Sequence, residues 1–274
     1  MDPEIALGGI FIGTVTSTFL YGIAFLQSYI YLSNVDAKRM WLRLLVLCVL
    51  LLDTLNTIFI LISTYTTLVR SYGNVEIIDK VIWSQPAYNM TTIMLMTVVH
   101  MFFARRVWFV SNKSFILTAV VVLFTLVNLG DGISYVVTMH VIVYPPPAGL
   151  SILQHLASYH YSTWSEFSNS RPVSYAVVIP GLASIVIADV LIASILTFYL
   201  LRESRDISVM IEPRNTQFVY VLNQLTAIIV STGILTAISS LATLIAFVSN
   251  HAGPVLLTIS TIGSKIYANT LLAE

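Results

Sequence analysis

Three ionisable residues lie deep inside long apolar stretches of this sequence, and their side chains permit ion pairing, cation binding or proton exchange. They are Asp53, Asp189 and Lys265, and each lies roughly ten residues from one end of its stretch. At a rise of about 1.5 Å per residue, all three come to similar depths near the middle of a bilayer. A charged side chain there costs at least about 2.5–3.5 kcal/mol, so each residue needs a partner or a function. A fourth, Asp131, lies further toward one face.

Two interpretations of these residues remain open from the sequence. In the first, Lys265 forms an internal ion pair with Asp53 or Asp189, and the other carboxyl group is protonated or bonded to amides and hydroxyls. In the second, the group is the floor of a small-molecule or ion site, because two acids and one amine can bind a cation or change protonation. Neighbours at helical spacing extend the candidate ligand-binding set, which we predict to be Asp53, Asn56, Asp189, Lys265 and Asn269.

Other polar residues have simpler interpretations. A retinal Schiff base on Lys265 is disfavoured, because Thr261 stands where a microbial rhodopsin has an acid. His100 is predicted to be a hydrogen-bonded residue between helices, near the end of the third stretch. Gly9 and Gly13, four residues apart, predict a close helix-packing seam in the first stretch, and Gly233 marks another in the sixth.

The composition requires a lipid environment for the elements that carry these residues. Of 274 residues, 57% are hydrophobic and only 9% are charged, and the mean hydropathy is +0.87. A soluble domain carries about a quarter of its residues as charged side chains. The 13 basic and 13 acidic residues cancel, so no net field favours nucleic acid as a partner. The chain is therefore predicted to be a multi-pass protein of the plasma membrane or an endomembrane.

Seven apolar runs are each long enough to cross a bilayer as a helix. They predict one all-α domain over residues 1–274, a bundle of seven transmembrane helices with spans at about 5–32, 44–69, 83–103, 115–143, 173–201, 218–248 and 254–272.

Basic residues in the connecting segments predict the orientation. Nine Lys or Arg residues lie in the first, third and fifth connections, against three in the second, fourth and sixth. This bias places the amino terminus outside and the carboxyl terminus in the cytoplasm. Arg105 and Arg106, which are predicted to close the third span, then lie at the cytosolic face. Connections one, three and five offer a basic surface for a cytosolic protein.

Several short motifs, spread in order over nearly the whole chain, resemble one family. They are Tyr21-Gly22 with Leu26-Gln27-Ser28-Tyr29-Ile30-Tyr31, Leu52-Asp53-Thr54-Leu55, Tyr72-Gly73-Asn74, Phe102-Phe103-Ala104-Arg105-Arg106-Val107-Trp108, Ala188-Asp189, Thr232-Gly233-Ile234-Leu235-Thr236 and Lys265-Ile266-Tyr267-Ala268-Asn269-Thr270-Leu271-Leu272. The chain resembles a family of fungal, mainly basidiomycete, seven-helix integral membrane proteins classified as a domain of unknown function. The resemblance implies that the midplane residues belong to the family pattern. It also leads us to expect His where Asn56 stands, so this position departs from that pattern.

Three functional classes are compatible with the sequence. The favoured one is a receptor-like or small-molecule-binding membrane protein, whose ligand is lipophilic or cationic. The alternatives are a transporter or channel, and an integral-membrane enzyme of the terpene-cyclase type. The chain shows no phosphate-binding glycine loop, nucleophile elbow or Cys-x-x-Cys pair. We therefore predict no catalytic residue, cofactor or metal site, and an enzyme is the less favoured class.

Overall fold

The computed structural model describes residues 3–34, 40–70, 82–143, 171–210, 216–249 and 254–273. These residues form seven α-helices and no strand, which confirms the all-α prediction for the described part of the chain. A π-helical turn, Thr66–Arg70, continues the second helix. The helices are α1 Pro3–Asn34, α2 Met40–Tyr65, α3 Ser84–Val110, α4 Phe115–Val143, α5 Arg171–Met210, α6 Thr216–Val248 and α7 Pro254–Leu272.

The largest difference from the predicted spans that affects the site is the end of α3. The prediction ended the third span at residue 103 and placed Arg105 and Arg106 after it, whereas α3 continues to Val110. The two arginines therefore lie in the last two turns of the helix. A helix continues past the apolar core because its backbone hydrogen bonds remain satisfied in the interface, where long basic side chains reach water.

The helices form a closed ring in chain order. Each helix packs against the next one, and α1 packs against α7, which completes the ring. α3 also packs against α5 and α7, so it lies toward the middle of the bundle. α7 packs against α1, α2, α3 and α6. Side chains on different faces of α7 therefore meet different helices.

Apolar side chains cover much of the outside of this bundle, whereas many polar side chains lie inside it. Phe19 and Phe115 are 70% and 75% exposed, while Asp53, Asn56 and Lys265 are fully buried. This distribution is typical of a protein whose surroundings are lipid, because lipid solvates the apolar surface and polar groups find partners inside.

Six of the helices contain a stretch that is long and apolar enough to cross a membrane, which indicates an integral membrane protein. These stretches are Leu7–Asn34, Met40–Arg70, Ser84–Val110, Phe115–Val137, Val178–Arg202 and Val230–Val248. α7 is not among the six. It carries Lys265 and Asn269, whose side-chain nitrogens bond to α2 and α1, and it packs against four other helices. The seven-span count and the orientation stay predictions.

The small-residue seams predicted from the sequence are packing contacts in the structure. A Cβ atom on Gly13 of α1 would lie 3.1 Å from the Cα atom of Thr258 in α7, and one on Gly9 would lie 3.3 Å from the hydroxyl of Thr258. A Cβ atom on Gly233 of α6 would lie 3.2 Å from the Cβ atom of Ala193 in α5. Glycine thus lets the backbones of α1 and α7 approach closely.

Replacing Gly13 by leucine is expected to destabilise the bundle, because the backbone of α7 has to move away from the new side chain. The expected loss is about 1–3 kcal/mol in the free energy of unfolding, measured by thermal unfolding in detergent. Gly22→Leu is the matched control on the same helix, since nothing lies within 4 Å of its Cβ position. Equal melting temperatures for the two variants would show that the α1–α7 contact does not require glycine.

Candidate functional site

Lys265 of α7 forms a buried ion pair with Asp53 of α2. Its Nζ atom lies 2.6 Å from Oδ1 of Asp53, and both side chains have no solvent exposure. The ammonium group also donates to the backbone carbonyl of Asp53 at 3.1 Å and to the Thr57 hydroxyl at 2.7 Å. The ring of Tyr21 in α1 lies 5.7 Å from Nζ. All three donor positions of the ammonium are therefore used, and α2 supplies every acceptor.

Helical spacing on α2 explains this arrangement. Asp53, Asn56 and Thr57 lie three or four residues apart, which puts them on one face of the helix, and all three are buried. The Thr57 hydroxyl donates to the carbonyl of Asp53 at 2.7 Å, so it accepts from Lys265 in a fixed orientation. The ion pair thus has a preformed acceptor set on a single helix.

Asn56 points from α2 to α3. Its amide Nδ2 lies 2.7 Å from the hydroxyl of Thr92, 3.3 Å from that of Thr91 and 3.4 Å from the carbonyl of Tyr88. Tyr88 in turn donates its hydroxyl to Thr261 of α7 at 3.4 Å. A polar network therefore joins α2, α3 and α7 beside the ion pair.

Two acceptor oxygens of this group have no hydrogen-bond partner among the described residues. They are Oδ2 of Asp53 and Oδ1 of Asn56, and both are buried. A buried polar atom without a partner carries the full cost of its desolvation, about 1–3 kcal/mol, and more when it is charged. The pair of oxygens on one face of α2 is suited to receive a hydrogen-bond donor or a cation.

Asp189 does not join this group but forms a second one with α3 and α7. Its Oδ1 lies 3.1 Å from Nε2 of His100, and its Oδ2 accepts a hydrogen bond from the Tyr267 hydroxyl. The rings of His100 and Tyr267 meet edge to face, with centroids 5.6 Å apart. His100 donates to Asp189 in the tautomer that carries its proton on Nε2. Nδ1 of His100 is buried and has no partner among the described residues.

The predicted midplane cluster is thus two clusters, which α7 separates. Lys265 and Tyr267 are two residues apart, about 200° around the helix, so they face opposite sides. Lys265 meets α2, and Tyr267 meets α3 and α5. The sequence left open whether Lys265 pairs with Asp53 or with Asp189. In the structure Lys265 bonds Asp53, while Asp189 is bonded by the imidazole of His100 and the phenol of Tyr267.

The remaining predicted residues lie outside both clusters. Asn269 donates to the carbonyl of Leu20 in α1 at 3.1 Å and to the carbonyl of Lys265 at 2.8 Å, so it ties α7 to α1. Arg105 is exposed and Arg106 is half-buried at the end of α3. Neither arginine is among the bonding partners of the ion pair, and their position at the cytosolic face stays a prediction.

The contacts of His100 and Tyr267 with Asp189 were not predicted from the sequence. The third span was predicted to end three residues after His100, which placed this residue at the membrane edge, whereas ten further residues of α3 follow it. A longer span would have put His100 at the depth of Asp189. The position of Tyr267 in the sequence did not indicate a partner for it, since single tyrosines occur in many apolar stretches.

A small cavity lies on the side of the ion pair that is further from Arg105. Its described lining comes from α1, α2, α3 and α7, and includes Thr14, Ser63, Gln85, Tyr88 and Thr261. Its volume of about 20 Å³ is enough for one water molecule or one amino group. Hydroxyl and amide groups therefore approach the Asn56 network from this side.

Comparison with known proteins finds a related family for the last third of the chain. Residues 185–274 match a family of unknown function (DUF6534). The match covers most of α5 and all of α6 and α7, and so includes Asp189, Lys265, Tyr267 and Asn269. Searches of curated proteins and of solved structures gave no match. The comparisons therefore support a domain of unknown function and leave its activity to be argued from the site.

Proposed function

We propose that this protein is a receptor-like membrane protein that binds a small amine or a comparable hydrogen-bond donor between α1, α2, α3 and α7. The observation that carries the proposal is the pair of buried acceptor atoms without partners, Oδ2 of Asp53 and Oδ1 of Asn56. The lining of the small cavity includes Tyr88 and Thr261, which belong to the same hydrogen-bond network as Asn56. An ammonium group that entered the bundle here would satisfy the two oxygens and compete with Lys265 for Asp53.

α7 is the element through which binding would be transmitted. It is held to α2 by Lys265, to α3 and α5 by Tyr267, and to α1 by Asn269. The cavity of about 20 Å³ is too small for a whole ligand, so binding requires α1 or α7 to move. A ligand that loosens the Lys265–Asp53 contact shifts the population toward a bundle in which α7 is rearranged.

The other functional classes have less support from the described residues. An isoprenoid substrate is many times larger than a small amine, so a terpene cyclase that uses Asp53 would need a far wider opening of the helices around this cavity of about 20 Å³. Transport would need a polar path that reaches both faces, but the side chains of Asp53 and Lys265 are sealed against each other. The receptor-like proposal needs only one opening.

A thermal-shift experiment with small alkyl and aromatic amines tests the proposal, and the matching neutral alcohols serve as controls. At about one hundred times its dissociation constant, an amine that binds only the folded protein stabilises it by about 2.7 kcal/mol. This corresponds to a rise in melting temperature of about 5 °C or more. We expect amines to produce the rise and alcohols not to.

Carboxamide variants locate the binding site. Asp53→Asn removes the carboxylate that the amine would pair with, so the amine-dependent rise is expected to be lost. Asp131→Asn is the matched control, because Asp131 is another carboxylate within an apolar stretch, and it lies on α4, outside the lining of the cavity. An amine-dependent rise that is unchanged in Asp53→Asn would refute the proposal.

A further inference from the structure

A second and larger cavity lies at the end of the bundle that carries Arg105 and Arg106. It has a volume of about 350 Å³ and lies between the last turns of α1, α3 and α7 and the first turns of α2. Its described apolar walls include Leu45, Phe102 and Leu271. Among the described lining residues, the two arginines are the charged ones. The cavity is thus apolar with a positively charged rim.

Aromatic side chains hold Arg105 in place. Its guanidinium carbon lies 5.6 Å from the ring centre of Trp41 and 5.6 Å from that of Phe109. Both rings are more than half exposed, at the end of the bundle where an interfacial aromatic belt is expected. A guanidinium that contacts two aromatic rings has fewer orientations to lose when it binds an anion, which favours Arg105 as an anion ligand.

We infer that this cavity binds one anionic phospholipid of the cytoplasmic leaflet, with its phosphate at Arg105 and Arg106 and the start of its acyl chains against the apolar walls. Arginine recognises phosphate through paired N–H groups. Basic pockets between membrane helices on the cytoplasmic side are suited to such headgroups, because that leaflet carries anionic lipid. The basic residues of the connecting segments predict that this end is cytoplasmic.

The shape and surface of the cavity favour a lipid over a soluble anion or a protein segment. A soluble phosphate would gain nothing from walls of leucine and phenylalanine, whereas acyl chains would be solvated by them. A volume of about 350 Å³ holds a headgroup with its glycerol, while the rest of the lipid extends into the bilayer. This cavity is a different site from the proposed amine site at Asp53.

Lipid binding by the full chain can be measured in phosphatidylcholine nanodiscs that contain an increasing fraction of phosphatidylserine. Native mass spectrometry counts the lipids retained after release from the disc. We expect the wild-type chain to retain one phosphatidylserine in preference to phosphatidylcholine. The variant Arg105→Gln/Arg106→Gln is expected to bind it about thirtyfold more weakly, since each basic residue near an anionic headgroup contributes separately.

Two further variants separate the cavity from general surface charge. Lys113→Gln/Arg202→Gln removes the same charge from exposed residues at the same end of the bundle, outside the described lining, and is expected to retain the lipid. Leu45→Trp fills the cavity without a change in charge and is expected to lose the lipid. It also tests the site if the double arginine variant fails to fold.

Several outcomes would overturn the inference. One is a lipid affinity of Arg105→Gln/Arg106→Gln within threefold of the wild type. Another is an equal loss of lipid affinity in both double variants, which would show that the overall positive charge of this end attracts the lipid and the cavity does not bind it. Displacement of the lipid by inorganic phosphate would show a soluble-anion site. Equal retention of phosphatidylserine and phosphatidylcholine would show that the cavity does not select an anionic lipid, and would favour a cytosolic protein as the partner of this face.

Discussion

Replacing Lys265 by methionine is expected to lower the free energy of unfolding by about 3–5 kcal/mol, because it leaves the carboxylate of Asp53 buried without its counter-ion. The side chain of Asp53 has no solvent exposure, and its Oδ2 already lacks a partner among the described residues. Thermal unfolding in detergent should show a melting temperature about 10 °C below that of the wild type. Ile266→Met, at the adjacent position, is the control for the new side chain.

The double variant Asp53→Leu/Lys265→Met tests whether the loss comes from the pair. Apolar replacement of both members of a buried ion pair is often neutral or stabilising, because no charge is then desolvated. We expect the double variant to recover most of the stability that Lys265→Met loses. If the stability losses of the single variants Asp53→Leu and Lys265→Met add up to the loss of the double variant, the ion pair does not hold α2 and α7 together.

Replacing Asp189 by leucine is expected to destabilise the protein by about 2–5 kcal/mol, because His100 and Tyr267 both lose their acceptor in the interior. A buried donor without a partner costs about 1–3 kcal/mol, and two such donors are left. Asp189→Asn keeps one acceptor oxygen, so its loss should be smaller. Thermal unfolding in detergent measures both variants.

Val190→Leu is the matched control for this prediction, since it places the same side chain at the next position of α5. Val190 is 48% exposed on the outside of the bundle, so the change is expected to leave the melting temperature near that of the wild type. Equal melting temperatures for Asp189→Leu and the control would contradict the role of Asp189 as the acceptor for α3 and α7.

The sequence predicted the helices well because membrane helices have a strong signal. A run of about 20 apolar residues has few structural alternatives in lipid, where each backbone polar group needs an internal partner. The predicted spans 115–143 and 254–272 agree with α4 and α7 in the structure. The end of α3 was predicted too early, because charged residues in the interface resemble a loop when only hydropathy is considered.

The predicted cluster contained one correct pair of partners and missed the partners of Asp189. Asp53 and Lys265 were placed at one depth, and they form an ion pair. Asp189 was placed in the same group, but it is bonded to His100 and Tyr267 on the other side of α7. Residue spacing determines the position of a side chain along a helix. It does not determine which neighbouring helix that side chain faces.

The sequence by itself determined that this chain needs a lipid environment, that it is helical, and that Asp53, Asp189 and Lys265 lie far from the ends of apolar stretches. These properties follow from composition and from a constant rise per residue. Only the tertiary structure decided that Lys265 bonds Asp53, that His100 and Tyr267 bond Asp189, and that Arg105 and Arg106 line a cavity. Those contacts depend on the rotation and packing of whole helices, which arise from many weak interactions between segments far apart in the chain.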